Sequence, residues 1–357
     1  MKIIDFYILK RYILTFFVML LLFIPIGIMI DVSEKVDKMI SREAPFNEIV
    51  SYYLDFTFYF ANFLFPIFLF LSVIWFTSKL ANNTEIIAVL SSGVSFSRFL
   101  RPYMIGATII AIMIFFMGMF IVPAASKGYN EFKYKYLKRS KDRTTTNLFN
   151  QLNDNDFIYV SSFTPSTKIG RDFSLEHFED NELKYKISAK NIRWIEKDSV
   201  YRLSAYSKRY IGEWNDSIIV ETRLDTIFNF NLDDLTPVSY IAETKNLFEL
   251  NEFIEKERKK GSSNVKTYLL VKYRRWSLPV SAFILTLIAV AVSSMKRRGG
   301  MGVNLALGIL IAFIFIFFDK VFGTLAERSG FSPFWAVALP NIIFGFLATY
   351  LLQNAKR

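Results

Sequence analysis

Six charged residues gather just beyond the first long apolar run of the chain: Asp31, Glu34, Lys35, Asp37, Lys38 and Arg42. Charges placed near bilayer depth face a helix-bundle interior or a cavity by default. Interfacial anchoring with local ion pairs is the plain alternative. Lysine and arginine in such a lining suit an anionic, phosphate-bearing headgroup, because they supply charged donors where phosphate oxygens need them. Lys35, Lys38 and Arg42 are therefore candidate lipid-phosphate ligands. Asp31 is a candidate cavity or gate residue, as are Asp319 and Lys320, which close the fifth apolar run.

Other chemistry is excluded by what the sequence lacks. No G-x-x-x-x-G-K-[ST] phosphate loop is present, so this chain does not hydrolyse ATP by that route. It has no cysteine, and its single histidine, His177, removes any histidine-based metal cluster or catalytic triad. His177 reads as a surface residue. Asp154 and Asp156 form a carboxylate pair, but within Asn153-Asp-Asn-Asp156 they read as an Asx-type turn. Gly299-Gly-Met-Gly302 reads as a glycine-rich turn, and no serine sits in a nucleophile elbow. No catalytic residue, metal site or cofactor is expected in this chain.

The elements that position these charges follow from hydropathy. Of 357 residues, 52% are hydrophobic and only 21% charged, and the apolar residues gather in runs long enough to cross a bilayer. The runs are Tyr12–Ile30, Phe56–Phe76, Tyr103–Val122, Ser277–Ser293, Val303–Phe318 and Phe334–Leu352. The fourth and fifth are short and should extend into flanking residues such as Trp276 and Val321. No cleavable signal peptide is evident, because the first run continues into Asp31 without a small-residue cleavage site. The net charge of +11 reads as juxtamembrane basic residues rather than a nucleic-acid surface.

Lys2, Lys10, Arg11, Lys79, Arg98, Arg101, Lys296, Arg297, Arg298, Lys356 and Arg357 fall on short loops of one side. Lys35, Lys38, Arg42, Lys320 and Arg328 fall on the other, so both termini are expected in the cytoplasm. The basic arms of the long central segment, among them Lys138, Arg139, Lys141, Arg143 and Lys260, pull the opposite way. Long translocated domains are largely exempt from the rule.

Between the third and fourth runs the pattern changes. Ala124–Arg143 reads as a helix leaving the membrane. Asp156–Phe163, Leu183–Ala189 and Ser217–Leu224 then alternate at period two, as strands of a small sandwich, roll or jelly-roll do. Leu247, Leu250, Phe253 and Ile254 return to helical spacing, with Gly261 as the stop. Asn82–Gly93, between the second and third runs, reads as a short amphipathic helix at the membrane surface, with Thr84 or Asn83 as cap. It is either a connector or a coupling helix that passes force from a partner to the spans beside it.

The layout and several motifs together resemble the LptF/LptG family of lipopolysaccharide-export permeases. Glu85-Ile-Ile-Ala-Val-Leu-Ser-Ser-Gly93-Val-Ser95 is similar to that family's coupling-helix stretch. The passage Leu247–Pro279, with Gly261, Tyr268 and Arg275, resembles its exit from the β domain, and Ala326-Glu327, Gly330, Pro333 and Pro340-Asn341 its C-terminal signature. The resemblance implies a membrane α-helical fold of six spans, three and three, around an inserted periplasmic β-jellyroll-like domain. The implied division is 1–123 with the coupling helix at about 82–93, 124–273, and 274–357.

It further implies a heterodimer of two such permeases on a homodimer of a cytoplasmic ABC ATPase that uses the ATP, in the bacterial inner membrane. Lipopolysaccharide would pass from the outer leaflet of that membrane to periplasmic jellyroll bridge proteins. Glu85 would dock in the ATPase, with Gly93 and Ser95 shaping the same helix. The first basic residues after span one would meet lipid phosphates. A short N-terminus and compact β domain lean towards the G-type subunit. Two other readings stay open on the residues alone. One is a permease for another envelope lipid or lipoprotein. The other is a membrane-anchored sensor or assembly scaffold, in which Glu85 sits on a mere connector.

Overall fold

The computed structural model describes residues 3–137, 145–164, 168–195, 198, 200–212, 214–228, 230, 240–259, 262, 264–294 and 300–355. Lys2, Lys138, Arg139, Lys141, Arg143, Lys260, Gly261, Lys296, Arg297, Arg298, Gly299, Lys356 and Arg357 lie outside the described residues. The chain divides into two units: 1–132, 242–250 and 266–357 form one, and 133–241 with 251–265 the other.

Among the described residues, six helices are long and apolar enough to cross a membrane. They include α1 (Ile3–Ser41), α2 (Phe46–Asn82), α8 (Val265–Ser293), α9 (Gly300–Arg328) and α10 (Pro333–Ala355). The remaining span is compound: α4 (Phe96–Phe116), a π turn at Met117–Ile121, α5 (Val122–Phe132) and a second π turn at Lys133–Leu137. The apolar run alone would stop this span at Pro123. Proline donates no N–H and crowds the carbonyl one turn back, and the first π turn widens the ladder there without ending the helix. Likewise Gly300–Gly302 belong to the first turn of α9 rather than to a turn. Glycine costs about 1 kcal/mol in a helix relative to alanine, less than leaving backbone groups unpaired in lipid.

Polar pairs tie the spans together, as they must where no water competes. Tyr12, fully buried, shares a hydrogen bond of 3.0 Å with Thr286, and Thr77 donates to the Tyr103 hydroxyl at 3.0 Å. Asn304 donates to Ser78 at 3.2 Å. Around them Phe16, Leu69, Phe70, Val73, Ile74, Ile110 and Leu285 form the main apolar core.

Among the described residues, the second unit holds one antiparallel sheet of six strands, each pairing with its sequence neighbour. They are β1 (Thr145–Gln151), β2 (Asp156–Thr164), β3 (Ile169–Glu179), β4 (Glu182–Ile195), β5 (Val200–Tyr210) and β6 (Ser217–Thr226). One face carries the core, with Ile158, Val160, Phe173, Leu175, Ile187, Leu203 and Tyr201 packed beside Phe228 and Phe230. This meander satisfies the expectation of an inserted antiparallel β domain. Helix α7 (Leu247–Lys259) follows a short α6 (Ile241–Thr244). Asn246 caps α7 by accepting from the backbone N–H groups of Phe248 (3.0 Å) and Glu249 (2.9 Å), and the Glu249 carboxylate accepts from Asn246 N–H in return.

Asn153 makes the Asx turn foreseen before β2: its side-chain oxygen accepts from the N–H of Asn155 at 2.9 Å and of Asp156 at 2.7 Å. Asp156 has a second role as the partner of His177, 2.7 Å from Nδ1, while the imidazole stacks on Tyr185 with centroids 4.8 Å apart. The hydrogen bond to Asp156, and then that to Glu179, raises the His177 pKa above its ordinary 6.5. A raised folded-state pKa adds stability that is complete below the unfolded value and is lost as pH climbs through the folded one. Amides of β2 and β3 should therefore exchange hydrogen faster at about pH 8 than at about pH 5.5, after correction for intrinsic rates. His177→Gln should flatten that dependence. A dependence that survives the substitution would assign it to another group.

Candidate functional site

The short helix between spans two and three is α3 (Glu85–Ser91), and its geometry follows from its two ends. Thr84, in the left-handed region at φ 60°, precedes it, and Gly93 at φ +85° ends it. Neither Thr84 nor Asn83 caps the helix with its side chain; Asn83 instead donates to the Glu85 carboxylate at 3.1 Å. Gly93 occupies a conformation that costs an L side chain roughly 1 kcal/mol or more. Ser95 then caps α4, its hydroxyl accepting from the Arg98 N–H at 3.2 Å. Ile86 is buried and Val89 and Leu90 pack against the main core, while Ile87 is exposed. The helix is thus seated by one face and presents Glu85 and Ile87 outward.

The first turns of α1 support this segment. The Tyr7 hydroxyl donates to Glu85 at 3.4 Å, and Arg98 donates to the Asp5 carboxylate at 2.6 Å. Asp5 is buried, and a carboxylate there requires a cation. Arg98→Ala should lower stability by about 2 kcal/mol, below the figure for a fully buried pair because Arg98 is partly exposed. The exchange Asp5→Arg with Arg98→Asp should recover most of it in a thermal melt of the detergent-solubilised protein. A double variant no better than the single one would mean that the pair does not hold the two helices.

At the far end of α1, Asp31, Lys35 and Lys38 recur at intervals of four and three, which places them on one stripe of the helix, and Arg42 stands in the turn just after it. Asp31 is buried and pairs with Lys35. Tyr52 of α2 closes the group, donating to Asp31 at 3.0 Å and accepting from Lys35 at 3.1 Å. Its ring stacks on Tyr129 and lies 4.5 Å from that of Phe132. Two residues singled out for separate roles are therefore one ion pair. Lys38 is exposed with no acidic partner among the described residues, and Arg42 is half-buried.

Asp319 and Lys320 diverge in the same way. Asp319 pairs with Arg274 of α8 at 3.2 Å, whereas the Lys320 ammonium lies 5.3 Å from the Phe63 ring centre with no acidic partner among the described residues. Arg275 donates to the carbonyls of Lys245 (2.6 Å), Glu243 (2.9 Å) and Ala242 (3.1 Å), at the end of α6. Arg274, Tyr52, Asp5 and Arg98 were not singled out as site residues on sequence grounds. The available signal was that an acid within an apolar run must find a cation or hydroxyl.

A family model described as the lipopolysaccharide export system permease LptF/LptG matches residues 6–354, nearly the whole chain. The chain belongs to the LptF/LptG family. Two relatives agree: the LptG permease proteins of Escherichia coli strain K12 and of strain O6:H1 (CFT073). Each is 21% identical over 281 residues, covering 77% of this chain and 77% of the relative. This LptF/LptG chain is thus a multi-pass membrane protein and a permease of an export system. Such a permease functions as part of a transporter complex.

Proposed function

We propose that this chain is the lipopolysaccharide-translocating subunit of an ABC exporter, driven by a separate cytoplasmic ATPase to which Glu85 couples it. The observation that carries the reading is the mounting of Glu85 on α3. That helix is braced from below by α1 and its acidic first residue is presented outward, within a chain of this permease family. No ATP-binding loop accompanies it, so ATP is consumed by the partner and this chain needs no cofactor.

Both termini lie in the cytoplasm of a bacterial inner membrane on this reading, and the β unit, with the segments flanking it (124–273), is periplasmic. The first and fifth spans support a second, similar permease as partner. Only 11% of the most apolar stretch of α1 and 22% of that of α9 are buried within the chain, against 28% for α10 and 44% to 56% for spans two to four. Lipopolysaccharide enters between the two permeases from the outer leaflet, with Lys38 and Arg42 meeting its phosphates. Asp31 and Asp319 hold the outer parts of spans one and five in place. The β unit passes the lipid to periplasmic jellyroll bridge proteins.

The test is purification from the native host in mild detergent. A cytoplasmic ATPase and a second six-span permease should accompany the chain and hydrolyse ATP. Recovery of the chain alone under every detergent condition would favour a membrane-anchored scaffold.

A further inference from the structure

We propose that Asn304 is a positioning residue for transport, its hydrogen bond to Ser78 being the hook through which a push on α3 reaches span five. The proposal rests on the coupling reading of Glu85 and adds to it the element that receives the movement.

Helix α9 packs chiefly against α2 and α10, and Ile309, Leu310, Phe313 and Phe317 of it are exposed. A span held so lightly follows whichever neighbour grips it. Among the described residues, two side chains of α9 bond to other spans. Near one end Asn304, 2% exposed, donates its amide N–H to the fully buried Ser78 of α2 at 3.2 Å. Towards the other end Asp319 pairs with Arg274 of α8 at 3.2 Å. One turn after each grip stands a glycine. A methyl group on Gly308 would overlap Ile74 of α2, and one on Gly323 would overlap Arg274. The missing side chains let the helices approach closely enough for the grips to form.

The two grips differ in what they can transmit. Ser78 stands one turn before the end of α2, which leads into α3 after two residues. Its neighbours Leu80 and Ala81 share the main core with Ile86 of α3. This end of α2 therefore moves with α3. Asp319 lies roughly 22 Å farther along the α9 axis, on a different neighbour. A displacement delivered at Asn304 and resisted at Asp319 tilts α9.

Asn304 carries a second mark. Its carbonyl oxygen Oδ1 is buried and bonds to nothing among the described residues. An orphaned buried acceptor costs stability and calls for a reason. Leucine would fill the position without that cost if joining two helices were the whole task. The Ser78 oxygen accepts the present bond and keeps its own proton to give. A short slide of α9 along α2 brings that proton to Oδ1, so the amide serves two discrete arrangements.

The experiment uses the full-length chain in its co-purified complex, in proteoliposomes, with the other subunits free of reactive cysteine. The chain itself has no cysteine, so introduced ones can carry spin labels at exposed positions. Labels at Ser91→Cys and Ile109→Cys read α3 against α4, and labels at Leu310→Cys and Ile109→Cys read α9 against α4. Trapping the ATPase with ATP and vanadate should shift both distances. Asn304→Leu should keep the first shift and lose the second. It should also lower lipopolysaccharide transferred per ATP about fivefold, with the melting temperature unchanged. Exchanging the pair, Ser78→Asn with Asn304→Ser, should restore the α9 shift and the transfer. An α9 shift that survives Asn304→Leu would overturn the proposal, as would unchanged transfer per ATP. Absence of the α3 shift would instead sink the coupling reading, and this proposal with it.

Discussion

Glu85→Lys should abolish lipopolysaccharide export while leaving the chain folded, inserted and partnered with its second permease. The fold cost of that change is small. Glu85 is half-exposed in the first turn of α3, and its bonds to Asn83 and Tyr7 lie at the surface. Losing them, and placing a cation at a helix N-terminus, removes about 1 kcal/mol. At an interface the same change acts with far greater weight. Reversing a charge that a partner was built to receive leaves two like charges facing each other, at a cost of several kcal/mol, or at least about a hundredfold in coupling. Export, measured as transfer of lipopolysaccharide to a periplasmic acceptor, should fall by that factor while span packing holds. Normal export with normal ATP hydrolysis in the variant would reduce α3 to a connector.

Charge reversal along the outer stripe of α1 should separate two roles that look alike in sequence. Lys38→Glu is expected to leave stability within about 0.5 kcal/mol, since the side chain is exposed. It should also lower crosslinking of lipopolysaccharide to the complex severalfold, as should Arg42→Glu. Lys35→Glu is different. It places a carboxylate against Asp31, whose side chain is 10% exposed, and removes a bond to Tyr52. Breaking one partner of a buried pair costs about 3 kcal/mol, so the α1–α2 contact should loosen and the melting temperature should drop. Equal behaviour of Lys35→Glu and Lys38→Glu in both assays would contradict the division between a structural and a lipid-facing lysine.

Much of the architecture was legible because lipid permits few solutions: an apolar run of sufficient length becomes a helix. All six spans form where the runs lie. The period-two segments at Asp156–Phe163, Leu183–Ala189 and Ser217–Leu224 all fall within strands β2, β4 and β6. Strands β3 and β5 escaped because their alternation is broken. Asp172 in β3 and Ala205 in β5 take left-handed backbone, at φ 49° and 50°, which shifts the side-chain period locally. The continuation of span three through Pro123 was legible only as a polar helix after it. Nothing in the residue types announces a π turn.

The candidate site was legible as a set of residues but not as a set of pairs. Asp31 with Lys35 is a four-residue spacing and could have been read as a salt bridge along the helix. Asp319 with Arg274, and Asp5 with Arg98, join residues from different spans. Such pairings depend on how the helices are rotated against each other, and hydropathy alone leaves that rotation open.

The most direct measurement is transfer of lipopolysaccharide by the purified complex in proteoliposomes, with a soluble periplasmic acceptor outside and ATP supplied to the ATPase. Transfer that requires both ATP and this chain, and that stops with Glu85→Lys, is the predicted result. ATP-dependent transfer that proceeds at the same rate without the chain would contradict the account.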